Sequence, residues 1–417
     1  MSAMVKTIVQ INTICNSGST GHIMNMLQQA ATKSGYQSIA AYGRGMPSSA
    51  GESIRIGNYF DILLHVALTR ALDRHGYGSK NATREFIHYL EKLQPDVIHL
   101  HNIHGYYLNM KFLFDFLKTS GIHMIWTLHD CWAFTGHCAY FDYEGCTKWT
   151  HRCMQCQQLQ SYPRSIISDH ASKSYIDKKQ FFTSLSHICI VTPSRWLADY
   201  VKQSFLNGFC IEVIPNGIDL EVFRPVDRAL TRKKLGLSAN QFMLLGVAVF
   251  KDPRKGLDDF IELANRLQNK GTIVLVGLEK RQLSCLPENI IGLRQTDNMQ
   301  ELAALYSTAD VFVNPTLQDN YPTVIMESLA CGTPVVAYET GGIPEQIINE
   351  TGFLVPKGDI NRLYEAVLKS RNSPREVWRM TCRELAEKLF GQEQCINRYM
   401  ELYKQLLSER SIEVNIK

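Results

Sequence analysis

The stretch Gln318-Asp319-Asn320-Tyr321-Pro322-Thr323-Val324-Ile325-Met326-Glu327-Ser328-Leu329-Ala330-Cys331-Gly332-Thr333-Pro334 reads as a loop, a short helix and a stop. Pro322 suits the first helical position, where its missing N–H would be unsatisfied anyway, and Gly332 suits the C-terminal stop. A helix starting there offers free N–H groups, including those of Thr323 and Val324, and such an end favours a phosphate. Glu327 lies five residues into the helix, about 7.5 Å along its axis. A carboxylate at that separation can take a ribose diol while the helix end holds a diphosphate. Standing alone, acid-x7-Glu is common, and a solvated helix Glu is the plain alternative.

Upstream, Phe250-Lys251-Asp252-Pro253-Arg254-Lys255-Gly256 follows a strand-like run. A lysine on a Gly-containing turn places a point charge where a diphosphate can leave, which makes Lys255 the strongest single candidate, with Arg254 beside it. Around these segments, residues 242–250, 272–276, 310–314 and 334–337 read as strands, and residues 257–269, 299–307 and 322–331 as helices. The first half alternates in the same way, with strands at 6–12, 37–42, 97–101, 123–128 and 187–192 and helices at 22–34, 110–119 and 195–205. The pattern predicts an α/β chain of two doubly wound, Rossmann-like parallel-sheet domains facing a cleft, with ligands at the carboxyl ends of the strands. The expected divisions are residues 1–208, carrying a Cys-rich insert at 131–163; residues 209–390; and a C-terminal helix at 391–417 that crosses back to the first domain.

In the first half, Asn16-Ser17-Gly18-Ser19-Thr20-Gly21-His22 opens a helix after a strand, and Gly18 and Gly21 permit close backbone approach to a ligand. His104 and His129 lie just past the ends of buried strands, whereas His99 and His101 share a strand face as core histidines do. A histidine past a strand end can hydrogen-bond a sugar hydroxyl or carry a proton near neutral pH.

Cys138-x7-Cys146-x6-Cys153-x2-Cys156 packs four thiols into 19 residues. Four soft ligands ending in Cys-x2-Cys suit a closed tetrahedral zinc site that would fold the insert. Buried free thiols, or a redox pair at Cys153 and Cys156, are the alternatives.

The Asp319/Glu327 spacing, the Cys-Gly-Thr-Pro stop, Gly341-Gly342-Ile343-Pro344-Glu345 and Gly352-Phe353-Leu354-Val355 together resemble the donor-binding motif of the family 4 glycosyltransferases. The cysteine-rich insert resembles that of their colanic-acid, O-antigen and capsule branch. The resemblance covers nearly the whole chain. It implies the GT-B fold, a nucleotide-diphosphate sugar donor held by the second domain and an oligosaccharide or lipid-linked acceptor held by the first. Transfer would retain anomeric configuration, with front-face departure and attack. It further implies that Lys255 neutralises the diphosphate, Glu327 takes the ribose, His129 and Asp319 orient the donor sugar, Asn320 and Gly18 lie on the donor side, and Gly21 and His104 face the acceptor. Two positions depart from the family: the first acid is Asp319 rather than Glu, and Val249 stands where an Arg is common. Arg254 or Lys251 would then supply the second charge, or the pocket is less basic.

Composition narrows the remaining classes. The 417 residues carry 44 Lys and Arg against 40 Asp and Glu. The excess is confined to the first half, where residues 1–208 hold 19 basic against 13 acidic side chains and every histidine. That imbalance is too small for a dedicated nucleic-acid binder. The N-terminus lacks the apolar core of a signal peptide, and no run reaches a membrane span. Twelve cysteines without a secretion signal point to the reducing cytoplasm. The basic segment Thr69–Lys80, approached by an apolar run, suggests peripheral contact with the inner membrane surface, against the plainer reading of a solvated helix end. The chain has no Asp-x-Asp, so catalysis is expected to need no metal, and zinc would be structural only. A sugar-nucleotide epimerase and a zinc-stabilised binding module remain as alternatives.

Overall fold

The computed structural model describes residues 5–372 and 375–416; Met1–Met4, Ser373, Pro374 and Lys417 lie outside the described residues. The chain divides into two units, residues 1–215 with 396–417, and residues 216–395. The first is built on β1 (Thr7–Cys15), β2 (Gln37–Gly45), β3 (Glu52–Arg55), β4 (Val97–Leu100), β5 (His123–Thr127), β6 (Ile188–Thr192) and β7 (Cys210–Val213). The second is built on β8 (Met243–Val247), β9 (Thr272–Val276), β10 (Ile290–Leu293), β11 (Val311–Asn314), β12 (Val335–Glu339) and β13 (Gly352–Pro356). The sheet orders are β3-β2-β1-β4-β5-β6-β7 and β10-β9-β8-β11-β12-β13. Every pairing is parallel.

Parallel strands joined by helices are covered on both faces, so their sequences are apolar without alternation. Thr272–Val276 is buried at all five positions. The side chains nevertheless divide by twos between two layers: Met243, Leu245, Val274 and Phe312 pack into one core of the second unit, and Leu244, Ile273, Leu275 and Val313 into the other.

Three expectations are corrected. The first unit runs to Pro215 rather than 208, because β7 pairs with β6 from Cys189↔Cys210 to Thr192↔Val213 and so completes the first sheet. Gly18 to Gly21 form the first turn of the helix Gly18–Lys33 rather than a loop before it. Pro322 is the cap, with ψ 126°, and the helix begins at Thr323.

The helix Gln392–Ile416 ends the described chain, and from Ile396 it belongs to the first unit. Tyr399 and Tyr403 are buried there. Tyr403 Oη lies 2.6 Å from His99 Nδ1, and Tyr399 Oη lies 2.9 Å from Thr127 Oγ1. No helix among the described residues is long and apolar enough to cross a membrane.

Candidate active site

In each sheet the strand order reverses at one point, and the loops leaving the carboxyl ends of the two strands there diverge to opposite sides and open a crevice. In the second unit that point lies between β8 and β11. The loop after β8 carries Lys255 and the loop after β11 carries Asp319. Lys255 ends the turn Pro253–Lys255, which Asp252 caps by accepting from the Arg254 N–H. Gly256 follows with φ 72°, and a Cβ there would lie 2.5 Å from the Pro315 carbonyl oxygen. Glycine is thus what lets the two loops meet.

Arg254 fastens them. Its carbonyl accepts from Leu317 N–H and Thr316 Oγ1, its guanidinium donates to the Gln318 carbonyl at 2.8 Å, and a second arm reaches Asp252. Lys255 Nζ then sits 2.5 Å from Asp319 Oδ2. Burial pushes the Asp319 carboxyl up, but Lys255, Arg254 and the Asn320 N–H outweigh it and hold Asp319 below the ordinary carboxylate value. Asp319 therefore stands as an anion engaged by Lys255, and Asn320 is buried beside it. Gly341, at φ 59°, packs so closely that a Cβ would lie 1.7 Å from the Asp319 carbonyl oxygen.

The helix Thr323–Ala330 follows directly, with Thr323 and Val324 half-buried in its first turn. Glu327 accepts from Tyr306 Oη at 2.9 Å. Burial raises its carboxyl to about 6, against the opposing bonds from Tyr306 and Thr323. The lysine, the helix end and this carboxylate therefore run along one stretch of the second unit.

In the first unit the reversal lies between β1 and β4. The helix Gly18–Lys33 follows β1, and Gly21 lies against the end of that strand, where a Cβ would stand 3.2 Å from the Ile14 carbonyl oxygen. A Cβ on Gly18, at φ 62°, would meet nothing within 4 Å. Gly21 thus serves helix–strand packing, while Gly18 serves the turn.

After β4, His104 is clamped on both nitrogens, with Nδ1 2.8 Å from Tyr162 Oη and Nε2 3.0 Å from Asp130 Oδ2. After β5, His129 Nε2 lies 3.2 Å from His101 Nδ1. Burial takes His129 down to about 4, so at neutral pH it is an uncharged hydrogen-bonding group rather than the proton carrier expected as one alternative. His99 and His101 are buried and hydrogen-bonded, as core histidines are. A small cleft is lined by Asn102, His104, His129, Asp130 and Trp132.

Tyr306, Asp130 and Tyr162 were not singled out from the sequence. Asp130 was legible as the acid after His129, but nothing local marks Tyr306, which reaches Glu327 from the preceding helix.

The four cysteines of the insert line one cavity with Phe141 and Trp149. Gly136 N–H points at Cys153 Sγ at 3.2 Å, and Gln155 takes a left-handed turn inside Cys153-x2-Cys156, at φ 48°. The Cys138 thiol hydrogen-bonds Cys156 and, against burial, lowers its pKa. Among the described residues, however, no three Cys, His, Asp or Glu side chains converge as a group that could hold a metal ion. The expected tetrahedral zinc site is therefore gathered but not closed, because the insert draws the sulfurs to one cavity without bringing three of them together.

Comparison with known proteins bears on both units. The model for Glycosyltransferase Family 4 matches residues 17–222, and that for Glycosyl transferases group 1 matches residues 241–372. The chain is 26% identical to the putative colanic acid biosynthesis glycosyl transferase WcaC of Escherichia coli K12, over 96% of this chain and 100% of that protein. Among solved structures, sucrose-phosphate synthase from Thermosynechococcus elongatus superposes with a TM-score of 0.74 at 21% identity, over 97% of this chain and 100% of that one. HepE of Anabaena, solved with UDP-glucose, does so with a TM-score of 0.66 at 14% identity, over 96% and 99%. These two likenesses establish the two-domain GT-B fold.

Proposed function

The chain belongs to the family 4 glycosyltransferases, and from that premise we propose that it moves a sugar, with retention of configuration, from a nucleotide-diphosphate sugar to an oligosaccharide or lipid-linked acceptor in surface polysaccharide synthesis. The observation that carries the donor side is the Lys255–Asp319 pair, set at the crevice of the second sheet and followed directly by a helix N-terminus. Lys255 would neutralise the leaving diphosphate, helped by the N–H groups of Thr323 and Val324, with Asp319 holding its amine in place beforehand. Glu327, steadied by Tyr306, would take the ribose diol. Neutral His129 would hydrogen-bond the donor sugar, and His104, fixed by Asp130 and Tyr162, would face the acceptor. The match to WcaC over nearly its full length supports the polysaccharide setting, and the complex of HepE with UDP-glucose supports a nucleotide-sugar donor. The free thiols and the nucleotide donor suit the cytoplasm.

The donor set of the insert suits zinc, four thiols with an N–H already aimed at one sulfur. An ion would have to draw them together, and its role would be to fix the insert, not to act on substrate.

The test of the transferase reading is release of nucleoside diphosphate from a panel of nucleotide sugars, with and without membrane-extracted acceptor. Acceptor-dependent release is expected, and Lys255→Ala should lower it about 100-fold or more. Consumption of donor without acceptor would favour the epimerase, and undiminished turnover in Lys255→Ala would remove the central support.

A further inference from the structure

The helix Tyr59–Leu72 turns a non-polar face to solvent. Ile62, His65 and Thr69 point inward, while Phe60, Leu63 and Leu64 are 71%, 45% and 64% exposed. Between Tyr59 and Thr69 the one Asp, Glu, Lys or Arg is Asp61, and its carboxylate accepts from the Asn58 N–H as part of the cap. A helix on a soluble surface ordinarily shows water a polar face. This one does so only from Arg70 onward.

The surface continues into the segment that follows the insert. Ile166 N–H donates to the Arg70 carbonyl at 2.8 Å, so the segment Arg164–Ile167 is tied to the end of the helix. Ile166 and Ile167 are 58% and 78% exposed. Arg70, Arg74 and Arg164, all exposed, lie within a few residues of these apolar side chains along the chain. Large apolar side chains bordered by arginines match the boundary between acyl chains and anionic headgroups. At 14 residues the helix is about 21 Å long, so it would lie in that plane rather than cross it. Two residues before that segment stands Tyr162, whose hydroxyl meets His104. The segment thus adjoins, along the chain, a residue of the side assigned to the acceptor.

We propose that this face seats the chain on an anionic bilayer, with Phe60, Leu63, Leu64, Ile166 and Ile167 entering the headgroup boundary and the three arginines meeting lipid phosphates. It brings the His104 cleft to the level where the headgroup of a lipid-linked acceptor stands. Only that last link rests on the transferase reading, because bilayer binding itself needs neither donor nor acceptor.

The experiment is flotation of the full chain with vesicles of phosphatidylcholine alone and of phosphatidylcholine with phosphatidylglycerol in equal parts, at low and high salt. Binding to the anionic vesicles is expected, weakened by salt and about tenfold lower on phosphatidylcholine. Phe60→Ser with Leu64→Ser, and separately Ile166→Ser with Ile167→Ser, should each reduce it about tenfold or more. Arg70→Gln with Arg164→Gln should remove the preference for anionic lipid. Thermal midpoint and binding of UDP-glucose, measured on the same preparations, should be unchanged and report on fold and donor site separately. A wild type that binds neither vesicle overturns the proposal, as do serine variants that float like the wild type. Light scattering covers the remaining case: dimers that the serine pairs dissociate, without vesicle binding, would assign the face to a second copy of the chain.

Discussion

Glu327, the carboxylate proposed to take the ribose, shows how a single side chain can link donor recognition to pH. Its carboxyl is raised to about 6 because the folded chain buries it, and the Tyr306 hydroxyl keeps it from rising further. Since the folded value exceeds the unfolded one, the native state holds the proton more tightly. This group's contribution to stability is complete below the unfolded value near 4.5 and is lost as pH rises through about 6. Binding of a ribose diol needs the opposite state, the carboxylate. Affinity for nucleoside diphosphate, followed by calorimetry, should therefore fall as pH drops below about 6, and Glu327→Gln should flatten the profile. Tyr306→Phe removes a hydrogen bond to the anion, so the midpoint should move up by about one unit. An unmoved midpoint would mean that Tyr306 only packs. Lys255 and Glu327 were legible in the sequence because the motif around them is local. Tyr306 was not, since its partner is 21 residues away on another helix.

At the level of elements, sequence reading found every interior strand of both sheets and missed four. Glu52–Arg55, Cys210–Val213, Ile290–Leu293 and Gly352–Pro356 are the four sheet edges. An edge strand is covered on fewer sides and needs no continuous apolar run, and Glu52–Arg55, for instance, has no buried position. The insert is the opposite case. Its spacing brings four thiols to one cavity, but spacing does not fix how close the sulfurs come. If zinc completes it, protein purified without chelator should carry about one zinc per chain. A strong chelator should then lower the thermal midpoint, and Cys153→Ser should do the same without chelator. A zinc-free preparation whose midpoint ignores chelator would assign the cysteines to packing.

On the scale of the molecule, the proposed donor groups Lys255, Asp319 and Glu327 all fall within residues 216–395, and His104 and His129 fall within the other unit. The C-terminal helix is part of the unit that holds the histidines. Its Tyr403 hydroxyl is 2.6 Å from His99, whose other nitrogen is 2.8 Å from Thr127. Burial takes His99 down to about 3, so the ring is neutral and each nitrogen needs a partner. Tyr403→Phe leaves one nitrogen unpaired in the core, at a cost of about 1–3 kcal/mol. The thermal midpoint should fall by several degrees while nucleoside diphosphate affinity stays unchanged. A parallel loss of affinity would show that the two units are coupled through this helix.

The sequence by itself determined the fold class, the interior strands and the segments of the proposed donor motif. Each depends on short-range periodicity or on residues within one turn and one helix. Only the tertiary structure decided that Asp319 is spoken for by Lys255, that Tyr306 steadies Glu327, that His129 is neutral, and that Ile166 extends the apolar face of Tyr59–Leu72. Those facts depend on which distant segments the sheet order brings together and on how far burial strips water from a charge. Neither is encoded in the spacing of residues along the chain.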